Sequence, residues 1–481
     1  MATMNDKALV THLERHSESV SDSAVLPTPL TLTPKEEARV WRKIDVQLMP
    51  ILTLLYLFSF LDRGLAKLQG LTEQLDLTGN KYNIALCSRI LNSLALKKFR
   101  PSRWLPGITF LWGVVILYSR YHQLIGARVC LGLAEAGLAP GIVYYLTLWY
   151  PRHKLQYRFG LFFGASSVSG AFSGILAYGI SFMSGTAGKL GWSWIFILEG
   201  CATAAVGILA FLVMVDSPSD AKFLTPEEKK YVIWKKEYDT SSVGEEEHFE
   251  MRHIIMAVTD WQLWLFILLS CSIIGPVYGI SFFLPSIIQG FGYSAPISSL
   301  LTVPPYAIAT IVLLFSAHFS DKLRLRWPFI LAGLLSSAVG FGIDISNASI
   351  GVKYFGVFLC VTGSYSAVPG LLAWFCGNVA GKSKRAVAIA LQIGTSNTIG
   401  IVASNIYRAN DSPRYILGHG VELGLVVMGL VVLPTLVLTY KRINGRREAI
   451  MNNAGESGGL KYTDEELRRM GDKAPNFRYG I

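Results

Sequence analysis

Two full charges, Arg128 and Glu135, lie inside an apolar, small-residue run over residues 126–146. Seven residues apart, they would share one face of a helix, about 10 Å apart along its axis. A charge at bilayer depth costs at least ~2.5–3.5 kcal/mol on insertion scales, so such a residue usually faces a bundle interior or a wet cavity and has a task there. A guanidinium stays charged and holds a carboxylate bidentately. Desolvation pushes a carboxylic acid toward its protonated form, which makes proton loading feasible near neutral pH. The chemistry on offer is therefore a pair of working charges in a wet interior, with Glu135 able to load a proton, against the plainer alternative of an ion pair that locks helices together.

A second pair, Asp62-Arg63, closes the first apolar block after Phe58-Ser59-Phe60-Leu61. It reads either as an interfacial anchor or as a proton-carrying carboxylate beside an anion-binding guanidinium. Later in the chain, Tyr278 sits in Gly275-Pro276-Val277-Tyr278-Gly279, where Gly and Pro loosen a helix. Trp374 follows Pro369-Gly370, and Gln392, Asn397 and Thr398 share one apolar block. Each could line a cavity, and each could equally be a packing residue. Glu199 lies near one end of an apolar block, where a structural or gating role is expected. Asp321 with Lys322, Arg324 and Arg326 reads as a loop-anchoring cluster, and Gly160/Gly164 and Gly170/Gly174 as small-residue pairs for close helix packing.

The elements that must position these residues are membrane helices. Of 481 residues, 51% are hydrophobic and 16% charged, with mean hydropathy +0.40; soluble domains carry about 25% charged residues. Apolar blocks fall near 44–66, 104–119, 124–149, 158–183, 193–215, 261–288, 297–319, 328–345, 351–378, 385–407 and 417–440, with a weaker candidate at 82–96. Basic residues gather in every second loop, as at Lys97-Lys98, Arg152 to Arg158, Lys229-Lys230 and Lys382 to Arg385. That alternation puts both termini in the cytoplasm. Separately, the plasma membrane is the expected location. The +11 net charge thus reflects loop bias and does not point to nucleic acid.

The alternation demands a crossing between Lys67 and Lys97, yet the apolar stretch 84–96 would reach only about 20 Å against a core of about 30 Å. The second helix is therefore read as truncated, with residues missing relative to working relatives. The layout is 1–40 as a disordered cytosolic tail, 41–215 as a six-helix half, 216–260 as a cytosolic loop, 261–440 as a second six-helix half, and 441–481 as a cytosolic tail. Within the loop, Thr225-Pro226-Glu227-Glu228 is a helix start. Asn347 and Asn410 open Asn-x-Ser sequons in outward loops, which makes Asn347 a glycosylation candidate. The six cysteines stand singly in apolar segments, without metal or disulfide spacing. No nucleotide-binding loop, zinc-hydrolase or serine-hydrolase motif appears in a fitting context, so an enzyme is not expected. No cofactor is expected beyond a proton gradient.

Several stretches together carry a family likeness: Arg42-Lys43-Ile44-Asp45, Leu61-Asp62-Arg63, Leu77-Thr78-Gly79-Asn80-Lys81-Tyr82-Asn83, Phe99-Arg100-Pro101-Ser102-Arg103, the run around Arg128 and Glu135, Trp149-Tyr150-Pro151, and Gly191-Trp192-Ser193-Trp194 to Glu199-Gly200. Over roughly residues 35–475 the chain resembles the fungal allantoate-permease group of the anion:cation symporter family, within the major facilitator superfamily. The resemblance implies an all-α polytopic fold of 6+6 helices in two pseudo-symmetric halves, with the binding site near the midplane. It implies proton-driven uptake of a small carboxylate such as allantoate, nicotinate, pantothenate or biotin. Proton coupling would fall to Glu135 and Asp62, and anion binding to Arg63 and Arg128, with Tyr278, Trp374 and Asn397 as further substrate contacts. The expected partners are a small organic anion, protons and the bilayer, and the expected state is a monomer. The chain departs from the family pattern after Arg63, where Gly64-Leu65-Ala66-Lys67 replaces an Asn-rich continuation. Two other readings stay open: an impaired or sensing relative with a cut second span, and a facilitator of other small solutes.

Overall fold

The computed structural model describes residues 32–61, 101–117, 138–151, 154–181, 183, 191–240, 251–380, 382–408, 411–412, 414–456, 466 and 470–481. The first-half helices are α1 (Pro34–Leu61), α2 (Pro101–Leu117), α3 (Leu138–Trp149), α4 (Leu155–Ser181) and α5 (Gly191–Val213). Two linking helices follow, α6 (Pro226–Thr240) and α7 (Met251–Val258). The second half holds α8 (Trp261–Gln289), α9 (Ala295–Leu300), α10 (Val303–Leu323), α11 (Trp327–Ile345), α12 (Ile350–Asn378), α13 (Lys382–Asn397), α14 (Ile399–Ile406) and α15 (Ile416–Glu456). Among the described residues there are no strands, and eight helical spans are long and apolar enough to cross a membrane.

Local chemistry sets the ends of these helices. Before α1, the Thr33 hydroxyl accepts from the Glu36 N–H at 3.4 Å and the Glu36 carboxylate accepts from the Thr33 N–H at 2.9 Å. Thr225 and Glu228 repeat this reciprocal cap before α6, the helix start expected there. Asp260 caps α8 by accepting from the Gln262 N–H at 3.1 Å. The span expected at 297–319 is broken between α9 and α10, just before Pro304 and Pro305, whose missing N–H groups cannot continue a helical ladder. The span expected at 385–407 is likewise divided, at Thr398.

The halves meet along α4 and α10. A methyl group at Gly160 would come within 2.6 Å of the Ala317 Cβ, and at Gly170 within 2.7 Å of the Tyr306 ring. At Gly174 it would press on the Ser299 carbonyl. The glycine pairs are thus the surface that lets two helices approach in the absence of a hydrophobic driving force.

One end of the bundle collects the basic residues. Arg158 pairs with Asp45 at 2.7 Å, Lys154 with Glu37 at 2.9 Å, and Lys43 with Glu228 at 2.5 Å. Burial lowers the pKa of Lys154, opposed by its contact with Glu37. Lys384 bridges Asp260 at 2.8 Å and Asp472 at 2.7 Å. Here too the halves are tied together. The Tyr157 N–H donates to Asp321 at 2.7 Å, and Gln156 accepts from Arg326 and Ser320, each at 2.6 Å. The Asp321 cluster is the loop anchor expected from sequence, holding the α10–α11 turn against the start of α4.

Candidate functional site

Between the halves lies a cavity lined by residues of both. From the first half it is walled by Tyr56, Ser59 and Phe60 on α1, Leu138 and Ala139 on α3, and Phe163 and Ser166 on α4. The second half contributes Ile274, Val277 and Tyr278 on α8, Tyr365 and three aliphatic residues on α12, and Gln392, Ile393, Ser396 and Asn397 on α13. Every described lining residue is neutral.

Two hydrogen bonds stitch the second-half wall. The Tyr278 hydroxyl donates to the Asn397 side-chain oxygen at 3.1 Å, and Ser281 shares a bond of 2.8 Å with the Tyr365 hydroxyl. Gln392 donates its amide to the Ser270 hydroxyl, while its carbonyl oxygen is buried without a hydrogen-bond partner among the described residues. That oxygen is an acceptor available to a donor on a ligand. On the opposite wall, Tyr56 packs its ring 4.1 Å from Phe162 and 5.2 Å from Phe163. The chemistry is thus an aromatic slot with hydroxyl and amide groups at its edges, suited to a small planar or compact polar solute.

Of the residues singled out from sequence, Tyr278, Asn397 and Gln392 all line this cavity. Trp374 does not. It is buried between Phe266 and Tyr440, and its indole N–H donates to the Gly480 carbonyl at 2.7 Å. Its position near the basic end of α12 makes it an anchor for the C-terminal segment. Asn378 grips the same Gly480 through both its amide groups, and Tyr479 stacks on Tyr440 with centroids 4.4 Å apart. Glu199 is buried within α5. Asn347 is exposed in the α11–α12 turn.

Asp62, Arg63, Arg128, Glu135, the stretch 82–96 and Asn410 lie outside the described residues. In the chain, Asp62 and Arg63 directly follow the α1 segment that carries Ser59 and Phe60, and Glu135 shortly precedes Leu138. Sequence reasoning missed Tyr56, Ser59, Ser166, Tyr365 and Ser396 as lining residues; hydroxyls and aromatics scattered in apolar helices carry no local mark of which face meets the cavity. It also missed a buried carboxylate, Glu422 on α15, although an acid inside an apolar block is the very signal that singled out Glu135.

A helical membrane bundle with a neutral cavity between its two halves defines a carrier of small solutes rather than an enzyme. A family model described as Major Facilitator Superfamily matches residues 84–404. The chain belongs to that superfamily.

An MFS-type transporter of Penicillium expansum, cnsO, is 31% identical over 510 aligned positions, covering 100% of this chain and 96% of the relative. A high-affinity nicotinic acid transporter of Saccharomyces cerevisiae is 32% identical, covering 96% of this chain and 88% of the relative. Because the first alignment is longer than the 481-residue chain, that relative carries residues with no counterpart here. In fold, the chain is similar to the proton:xylose symporter XylE, with TM-score 0.60 at 14% identity over 81% of this chain and 94% of that one. It is also similar to a bacterial homologue of the human lysosomal transporter Spinster, with TM-score 0.55 at 14% identity over 82% of this chain and 96% of the other.

Proposed function

We propose that this carrier takes up a small organic anion, of the carboxylate-vitamin or ureide class that includes nicotinate and allantoate, in symport with protons. The observation that carries the reading is the neutral cavity whose walls, along the chain, adjoin the charged residues Asp62, Arg63 and Glu135. An aromatic slot supplies area for a ring, and the Tyr278–Asn397 pair and Gln392 supply orientation. The likeness to a nicotinic acid transporter and to the allantoate-permease group supports the substrate class.

In this scheme Arg63 or Arg128 takes the substrate carboxylate once Glu135, and with it Asp62, is protonated. Deprotonation restores the charge pairing and releases the anion. The two six-helix halves rock around the cavity, with the ties between α4 and the α10–α11 turn as the gate on the basic face. That face is assigned to the cytoplasm and the carrier, as a monomer, to the plasma membrane. Uptake of labelled nicotinate and allantoate by cells lacking their own permeases, with and without an uncoupler, tests the proposal. Saturable, uncoupler-sensitive uptake is expected, and uptake indifferent to the uncoupler contradicts it.

One observation favours a second reading, an impaired or sensing relative. The 84–96 stretch is too short to cross a bilayer, and the aligned relative has residues this chain lacks. Restoring a full-length second span tests it: uptake that appears only in the restored chain supports impairment.

A further inference from the structure

Glu422 sits on α15 with no exposed surface. Neither carboxylate oxygen has a hydrogen-bond partner, and no cation pairs with it among the described residues. Its carboxylate lies against Gly275 and Gly279 of α8, where a methyl group would press on one oxygen or the other. The glycine spacing on α8 thus forms a shallow cradle in which this carboxylate sits, with Leu425 and Ile399 beside it at Gly275 and the Tyr407 ring at Gly279.

We propose that Glu422 is a proton-binding site of the second half, holding its proton while α15 is seated against the Gly275–Gly279 face of α8 and releasing it when the two helices part. An isolated ionised carboxylate in such an interior is far costlier than the neutral acid, and an acid that must ionise needs water or a partner that the seated arrangement does not provide. The neighbouring elements offer no compensating ion pair. α8 contains no charged side chain; α11 brings Asp344, α12 brings Cys360 and Lys353, and Tyr407 and Tyr415 flank α14 and α15. On α15 itself His419 lies one turn before Glu422, with its Nδ1 3.3 Å from the Tyr407 hydroxyl. Lys353 is in electrostatic reach of Asp344 and His419.

Two features make this more than an inert buried acid. First, it is part of a protonatable set. Asp344 is also buried, with one oxygen unpartnered among the described residues and the other 3.6 Å from the Cys360 sulfur. Tyr407 is in electrostatic reach of both acids, and Asp344 lies two residues from the exposed Ser346. Secondly, α8 is shared. Ile274, Val277 and Tyr278 on α8 wall the cavity while the adjacent Gly275 and Gly279 meet Glu422, so a shift of α8 on substrate binding must alter the cradle. No group of three metal-ligating side chains occurs among the described residues, which favours a proton over a metal ion as the occupant.

The site stands on geometry; only its role in transport rests on the proposed proton coupling. Infrared pH titration of the purified full-length protein reads it directly. The wild type should show a protonated carboxylic acid band that is lost in Glu422→Gln, and Gly279→Ala, which crowds the same carboxylate, should shift the midpoint at which that band titrates. A band unchanged in Glu422→Gln, or a midpoint unchanged in Gly279→Ala, overturns the assignment. In proteoliposomes the ratio of uptake in acidic to neutral medium should fall about threefold or more in Glu422→Gln, as expected when one of two coupled protonation steps is removed; where wild-type uptake is pH-dependent, an unchanged ratio also overturns it. Wild-type transport without pH dependence, alongside loss of the acid band in the variant, would refute proton symport while leaving the Glu422 site in place.

Discussion

The backbone N–H of Tyr157, at the start of α4, donates to the Asp321 carboxylate at the end of α10 across 2.7 Å. The same carboxylate pairs with Arg326 at 2.6 Å, so one acid holds both its own turn and the opposite half of the molecule. Asp321→Asn keeps the size of the side chain and weakens both contacts by removing the charge. The basic face should then open more often. With Ser396→Cys as a reporter in the cavity wall, alkylation from that face should run about fivefold faster in the Asp321→Asn background, corresponding to about 1 kcal/mol. An equal rate would show that the tie does not gate.

The Tyr278–Asn397 bond positions the second-half wall of the cavity. Tyr278→Phe removes the hydroxyl without a cavity, so the chain should fold normally while substrate KM rises about three- to tenfold. Asn397→Ala should act similarly, and the double variant should fall short of the product of the two, because each leaves the other's partner unsatisfied.

Trp374→Phe provides the complementary case. The indole bonds Gly480 rather than facing the cavity. The substitution should leave substrate KM within about twofold of wild type while lowering stability by about 0.5–1.5 kcal/mol through the lost indole bond, the Gly480 carbonyl keeping its bond from Asn378. A large KM change with unaltered stability would return Trp374 to the substrate site.

The α4–α10 seam should be intolerant of bulk. Gly170→Val places a side chain where even a methyl group meets the Tyr306 ring at 2.7 Å. Overpacking of this kind costs about 1–3 kcal/mol, and the thermal midpoint and transport should fall together. Gly179→Ala, with open space around it, serves as the tolerant control.

Glu228 tests the tether between α6 and α1. Burial would raise its pKa, but the Lys43 ammonium and the Thr225 N–H outweigh that and hold it below the ordinary value of 4.5. A depressed carboxylate contributes stability above its unfolded pKa and loses it as pH falls through the folded one. The stability difference between wild type and Glu228→Gln should therefore be constant from neutral pH down to about 4.5 and shrink below it. The pair is partly exposed, so the difference should not exceed about 1 kcal/mol.

Much of this architecture is legible in the sequence because bilayer spans are long and uniformly apolar. The blocks at 261–288, 328–345 and 351–378 match α8, α11 and α12 to within a residue or two at each end. Thr225 and Glu228 announce α6 through capping chemistry that is local in the chain. The breaks at Leu301–Thr302 and Thr398 are less legible, since each lies inside a longer block that reads as one span. What a helix faces is hardest to read. Trp374 and Tyr278 are both aromatic, both buried and both near prolines, yet one meets the C-terminal segment and the other the cavity. That difference arises from tertiary contacts with residues more than a hundred positions away. Glu422 shows the converse: its apolar surroundings were visible in sequence, but its meaning depends on two glycines on another helix.

The central claim is proton-coupled carriage of a small organic anion, and it is tested most directly by uptake of labelled nicotinate into proteoliposomes holding the purified chain under an imposed pH gradient. Accumulation above equilibrium that collapses with an uncoupler, and is lost in Glu135→Gln, is the predicted result. Nicotinate uptake that merely equilibrates, with or without the gradient, would contradict the account.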